Sequence, residues 1–301
     1  MTEELKSFIE RNIDLIEENR WEEIYKKSDD LKADVGKFTE IMLAADIHPE
    51  NYLKELPEYF LRFSSIKEFN IPDNILSIGE YVFIGCVDLT KVTMGSSIKS
   101  IGEGAFNNCK SLTDIIIPDS VTSIDSYAFE DCTSLTSVLI GNGVTSISYT
   151  AFYDCPSLKG VYINDLAAWC NIRFEDAHSN PLYYAKNLYI KGKIVTELII
   201  PDSITKINSY TFFHCTSLTS ITIPDNTTSI SGLAFADCSS LTNIIIKNPE
   251  ITFASNVFEH CKDLDIQFTG TKAQWKKIAN GKFSKVTYTC TCIDGIIKKS
   301  R

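Results

Sequence analysis

Ten cysteines and four histidines hold most of this chain's capacity for chemistry. Seven of the thiols recur at one phase of a repeat: Cys86, Cys109, Cys132, Cys155, Cys215, Cys238 and Cys261. Two of these follow a histidine, as His214-Cys215 and His260-Cys261, and such pairs suit zinc. They lie two repeats apart, however, and strands stack at roughly 4.8 Å each. The pairs would then sit on the order of 10 Å from one another, too far for one tetrahedral ion. Other copies place Asn108, Asp131, Asp154 or Asp237 before the cysteine, which reads as a polar corner. A cysteine nucleophile needs a base or a positive charge to lower its pKa, and a column of equivalent thiols singles none out. Cys290-Thr291-Cys292 puts two thiols on one face of a strand, where edge packing is the plainer reading. Gly102-Glu103-Gly104 lacks the third glycine of a dinucleotide loop. The expectation is a protein with no metal, no cofactor and no catalytic residues.

What positions these thiols is a 23-residue period starting at Ile71, Met94, Ile117 and Ile140 and resuming at Ile200, Ile223 and Ile246. Each copy carries a phenylalanine 12 residues in, from Phe83, Phe106, Phe129 and Phe152 to Phe212, Phe235 and Phe258, and its cysteine three residues later. A period in the twenties marks a solenoid whose units bury their apolar faces only against neighbours. Within a copy, Leu135 to Ile140 reads as the main strand and Val144 to Ile147 as a second short strand; Ala151-Phe152 and Cys155 form an aromatic corner. Pro118, Pro201 and Pro224 stop the main strand in their copies, and the following aspartate favours a turn. Seven equivalent cysteines would stack as a ladder of small buried thiols, with no pairing to staple.

Residues 1–66 lack the repeat and read as an α-helical cap or interaction domain. Phe8, Ile9, Ile13, Leu15 and Ile16 form one apolar stripe, Trp21, Ile24 and Tyr25 another, and Phe38, Ile41, Met42 and Leu43 a third. Pro49 opens a fourth short helix that ends before Pro57. The repeats occupy 67–268, with a variant 37-residue copy at 163–199. That copy holds a helix over Asp165 to Ile172 and a hairpin around Gly192. The Ala, Trp, Ile spacing returns in Thr271 to Ile278, which opens a C-terminal cap of helix plus strands at 269–301.

The phrase Ile117-Pro118-Asp119-Ser120-Val121-Thr122-Ser123-Ile124, followed by Ala128-Phe129 and Cys132-Thr133-Ser134-Leu135-Thr136-Ser137, resembles the BspA-type leucine-rich repeat. The resemblance runs from residue 71 to about 268. It implies a leucine-rich-repeat solenoid of short strands in 23-residue repeats; with the N-terminal α-helical domain read from the apolar stripes, the expected fold class is α+β. It also implies a binding scaffold of the kind found in bacterial surface proteins, in protists and on mobile elements.

Charge narrows the partners. Residues 1–70 carry 10 basic and 17 acidic side chains, 71–270 carry 11 and 21, and only 271–301, with 8 and 1, is basic. An acidic repeat body is a poor nucleic-acid surface. Met1-Thr2-Glu3-Glu4-Leu5-Lys6 opens no signal peptide, and no run of about 20 apolar residues occurs, so no membrane insertion is expected. With reduced cysteines, this points to the cytoplasm. In Leu-x-x-Ile-x-Ile the named residues point inward and the others outward. The last outward position reads Thr93, Ile116, Leu139, Tyr162, Thr222 and Ile245. Ile116, Leu139 and Tyr162, flanked by Asp114, Ser137 and Lys159, therefore form the candidate binding column for a protein partner. The alternative is a surface or virion adhesin for host protein or glycan, and an enzyme is a distant third; the oligomeric state stays open.

Overall fold

The computed structural model describes residues 3–18, 20–26, 35–44, 46–283 and 286–300. The chain is a solenoid of short parallel strands preceded by short helices, and it divides into two compact units: residues 1–135 with 148–157, and 136–147 with 158–301.

The first unit begins with helices α1 (Glu3–Arg11), α2 (Ile13–Glu17), α3 (Trp21–Lys26) and α4 (Val35–Ala44) and a 3-10 turn, Pro49–Tyr52. Of the three apolar stripes, Phe8, Ile16, Trp21, Ile24, Tyr25, Phe38 and Met42 are buried, while Ile13 is 45% exposed. An unbroken series of rings joins the helices to the repeats. Phe8 meets Phe38 edge-on at 5.5 Å, Phe38 meets Tyr25 at 6.0 Å, and Tyr25 meets Phe60 at 5.2 Å. Phe60 and Phe69 then lead to Phe83, where the geometry changes to parallel stacking. Phe83, Phe106, Phe129 and Phe152 follow one another at 4.9, 5.2 and 5.1 Å, one ring per coil. Since coils stack at the spacing of paired strands, one large ring at a fixed phase fills the interior of each turn.

The solenoid starts earlier than the period suggests. Strand Glu55–Leu56 pairs in parallel with Ser77–Ile78, and the amides of Tyr59, Leu61 and Phe63 donate to the carbonyls of Glu80, Val82 and Ile84. Residues 53–66, expected to belong to the helical segment, thus form an extra partial coil, a short strand and a corner without a main strand. Leu61 stands in the phenylalanine slot and Ser64 in the cysteine slot, so the two columns that reveal the other copies are missing here. Ile66 falls inside repeat architecture, and the helical part ends at Tyr52.

In the second unit, Ser137–Ile140, Gly160–Ile163 and Leu188–Ile190 pair in parallel, and Leu188–Ile190 turns back antiparallel onto Lys193–Ile194. Gly192 makes that turn at φ +77°, a conformation open to residues without a Cβ. A second run of parallel strands follows: Glu197–Ile199, Ser220–Ile223, Asn243–Ile246, Leu264–Phe268 and Tyr288–Cys292, closed by antiparallel Gly295–Lys299. Helix α5 (Leu166–Asn171) has Asp165 as its N-cap, α6 (Leu182–Ala185) is a single turn, and α7 (Lys272–Ala279) has a capping box of Thr271 and Gln274. The two helical tryptophans of this unit, Trp169 on α5 and Trp275 on α7, are both buried. Trp169 donates its indole N–H to the Thr211 carbonyl at 3.0 Å. Trp275 packs on Phe253, Phe268 and Phe283 beside the ring series Phe212, Phe235, Phe258.

Candidate functional site

The thiols that open the question of chemistry are built into the backbone. Cys109, Cys132 and Cys155 donate to the carbonyls of Phe83, Phe106 and Phe129, each at 3.2 Å, and Cys238 and Cys261 do the same to Phe212 and Phe235. Each bond spans from one coil to the phenylalanine of the coil before it. Cys86 follows the same rule with Leu61, at 2.9 Å. Burial pushes the thiols of Cys86, Cys155 and Cys261 up to about 12 and that of Cys215 to about 11, and holds those of Cys109, Cys132 and Cys238 well above their ordinary range. A thiol that is buried and already donating is a packing element, because its reactive form is the disfavoured thiolate.

The residue before each thiol has a conformational explanation. Asn108, Asp131, Asp154, His214, Asp237 and His260 all take positive φ, between 52° and 62°. Among residues with a side chain, Asn, Asp and His are those most enriched in this left-handed region. His214 and His260 occupy a backbone slot shared with Asn and Asp, which accounts for the His-Cys pairs without a ligand. His214 Nδ1 donates to the Tyr183 carbonyl at 2.8 Å, and His260 Nδ1 lies 2.8 Å from Asp237 Oδ1. Among the described residues no group of three or more His, Cys, Asp or Glu side chains is arranged to hold a metal ion.

The strand register places the candidate column as follows. In the first unit, Ile115 and Ile117 are buried while Ile116 is 61% exposed and Asp114 is exposed. In the second unit, Val138 and Ile140 point inward and Leu139 and Ser137 are half-buried on the outward side. Tyr162 pairs with Leu139 across the strands and is also half-buried; Lys159, just before that strand, is exposed. Sequence reasoning left out the next member. Tyr189 pairs with Tyr162 in register, and their rings stack at 4.6 Å with 14° between planes. Ile194, 47% exposed, pairs with Tyr189 across the hairpin. The signal was present, since Leu188-Tyr189-Ile190 repeats the aliphatic, tyrosine, isoleucine order of Val161-Tyr162-Ile163. The tyrosine pair has a second support: Gly160 sits beneath both rings, and a Cβ there would come within 3.0 Å of each.

The sequence profile of the BspA type leucine rich repeat region matches residues 54–178 and 185–295, in 6 copies. The chain belongs to the BspA-type leucine-rich repeat family. The profile's first residue falls next to the extra coil at Glu55–Leu56, and its gap at 179–184 overlaps the one-turn helix α6 of the variant copy. Solved structures similar to these BspA-type repeats include a leucine-rich repeat protein of T. pallidum, 20% identical over 76% of this chain and 88% of that one, with a TM-score of 0.42. A leucine-rich repeat protein from Bacteroides ovatus is 20% identical over 79% and 70%, with a TM-score of 0.45. The pneumococcal vaccine antigen PcpA is 18% identical over 83% and 72%, with a TM-score of 0.42. No curated protein is significantly similar in sequence. Among the described residues no helix is long and apolar enough to cross a membrane.

Proposed function

We propose that this BspA-type repeat protein is a non-catalytic scaffold that holds a protein partner on the outward face of its main strands. The observation that carries the reading is the column Leu139, Tyr162, Tyr189 and Ile194: four apolar side chains in register on the solvent side of adjacent strands. Solvated positions of this kind ordinarily carry threonine or charge, and a contiguous apolar column there marks a contact surface. Stacked tyrosines suit the role, because each offers a large rigid face and a polar tip at little entropic cost. Ser137 and Lys159 border the column and supply polar contacts at its rim. Ile116 and Asp114 hold the corresponding positions of their own copy and offer the same surface chemistry in the first unit.

A photo-crosslinking residue at position 139 or 189 should join the protein to one discrete partner in extract of the source organism. The same residue at Lys206, an exposed position on a short strand, should not. Leu139→Glu should weaken binding of that partner at least tenfold with the melting curve unchanged. Equal crosslinking from all three positions, or undiminished binding in Leu139→Glu, would refute the assignment.

A further inference from the structure

Two thiols differ from all those of the ladder. Cys290 and Cys292 alternate with outward residues on strand Tyr288–Cys292 and both face inward; Cys290 is fully buried and Cys292 is 6% exposed. Six of the seven ladder thiols donate to a main-chain carbonyl of the preceding coil. These two instead hydrogen-bond to each other, sulfur to sulfur, at 3.7 Å. The ladder thiols are one coil apart, whereas the cap thiols are neighbours on one strand. They also sit at the margin of the fold. Cys292 is followed by Ile293, 72% exposed, and by the Asp294-Gly295 turn into the last strand, Gly295–Lys299.

We propose that Cys290 and Cys292 are a redox-modifiable pair that closes to a reversible disulfide by exchange with a small-molecule disulfide such as oxidised glutathione. Cys292, the less deeply buried residue of the two and next to the exposed Ile293, begins the reaction. Cys292 loses its proton to solvent, its thiolate attacks one sulfur of the small disulfide, and the S–S bond breaks to release one small thiolate. Cys290 then gives up its proton, attacks the Cys292 sulfur of the mixed disulfide, and expels the second small thiolate. Two protein thiols and one disulfide have become one protein disulfide and two small thiols, with the two protons taken up by the departing thiolates. The order follows from the environment: burial, then the adjoining Cys292, pushes the Cys290 thiol up, so Cys290 is the resolving group.

The same geometry makes the bond easy to reverse. Two residues of a strand advance about 6.4 to 6.8 Å between their Cα atoms, at the upper end of the roughly 4.4 to 6.8 Å that disulfides span. Closure therefore strains the strand, and strained disulfides are the labile ones. The strain falls on a closing element, because Cys290 pairs with Ile297 and Cys292 with Gly295 in the terminal hairpin. Oxidation would loosen Gly295–Lys299 and bare the strand Tyr288–Cys292 as a new edge.

The test uses the full chain in buffers of graded oxidised-to-reduced glutathione ratio, then acid quenching, alkylation in denaturant and peptide mapping. Cleavage after lysine leaves residues 286–298 as one peptide holding both cysteines and no others. The expected result is that this peptide loses two hydrogens and takes no alkyl group, while the other eight thiols are fully alkylated. Adding reduced glutathione should restore it. Cys290→Ser should stop at a glutathione adduct on Cys292, and Cys292→Ser should take no adduct. Amide exchange over 295–299 should quicken at least tenfold on oxidation. Full alkylation of both cysteines at every ratio, a persistent adduct on the unmutated chain, or oxidation of ladder thiols before this pair would overturn the proposal.

Discussion

Val138 and Leu139 are adjacent in sequence and, by the strand register, sit on opposite faces, so one pair of substitutions tests the whole inside-outside assignment. Val138 is fully buried against the interior of its coil. Replacing it with aspartate forfeits about 1.5 to 3 kcal/mol of apolar burial. It also places a carboxylate among apolar side chains with no partner, which costs several kcal/mol more or forces the group to bind a proton. The expected loss is roughly 4 to 6 kcal/mol, comparable with the whole stability of many domains. Leu139 is half-buried with solvent on one side, and Leu139→Glu should cost less than about 1 kcal/mol, the usual size for a surface change. Urea unfolding followed by the emission of Trp21, Trp169 and Trp275, all buried, reads both variants. Because repeats contact only their neighbours, Val138→Asp should split the transition, with Trp21 and Trp275 reporting separate steps in single-tryptophan versions. Equal destabilisation by the two substitutions would mean that Leu139 is internal and that the register, with the binding column built on it, is wrong.

Three further outcomes follow from particular contacts. The seven ladder thiols should resist alkylation in the native protein and react fully in denaturant without reductant; a disulfide-linked peptide between any two of them would contradict their burial as separate packing elements. Removing residues 1–48 should lower the melting temperature and promote aggregation, since it strips Phe8, Tyr25 and Phe38 from Phe60 and leaves the strand Glu55–Leu56 as an open edge; an equally stable, monomeric truncation would show that the helices serve something other than covering the array. His48 lies between Glu50 Oε1 at 2.9 Å and Asp46 Oδ1 at 3.2 Å, and its pKa is raised above the usual range, chiefly by the hydrogen bond to Glu50 and also by Asp46. A raised folded pKa means that the stabilising contribution is complete below about 6.5 and fades as pH climbs through the folded value. His48→Gln should therefore lower the melting temperature at pH 5.5 and match the native protein at pH 9, whereas a deficit that is constant with pH would refute the ion-pair account.

The repeat and its aromatic and thiol columns were legible in the sequence because every coil solves the same packing problem with the same residues. Stacking at one strand spacing demands a ring at one phase and a small thiol at another, so Phe106 and Cys109 predict Phe129 and Cys132. The outward positions were legible for the same reason, since a strand's period of two leaves little choice once Val138 and Ile140 are inward. The variant copy was readable as a helix and a hairpin from Asp165, Trp169 and Gly192. Its sequence did not say that Leu188–Ile190 joins the parallel strands before turning back, because the pairing depends on which neighbour offers free main-chain groups.

Tertiary structure alone decided three things. Leu61 and Ser64 fall in the ring and thiol slots of the first coil because the amides of Tyr59, Leu61 and Phe63 donate to the carbonyls of Glu80, Val82 and Ile84, and backbone pairing leaves no signature in side-chain identity. The histidines before Cys215 and Cys261 gained their meaning from a positive φ, which a sequence does not display. The thiols looked alike as residues, yet six of the ladder members find carbonyls one coil away while Cys290 and Cys292 find each other. What a thiol can do is set by the nearest acceptor, and the nearest acceptor belongs to the fold.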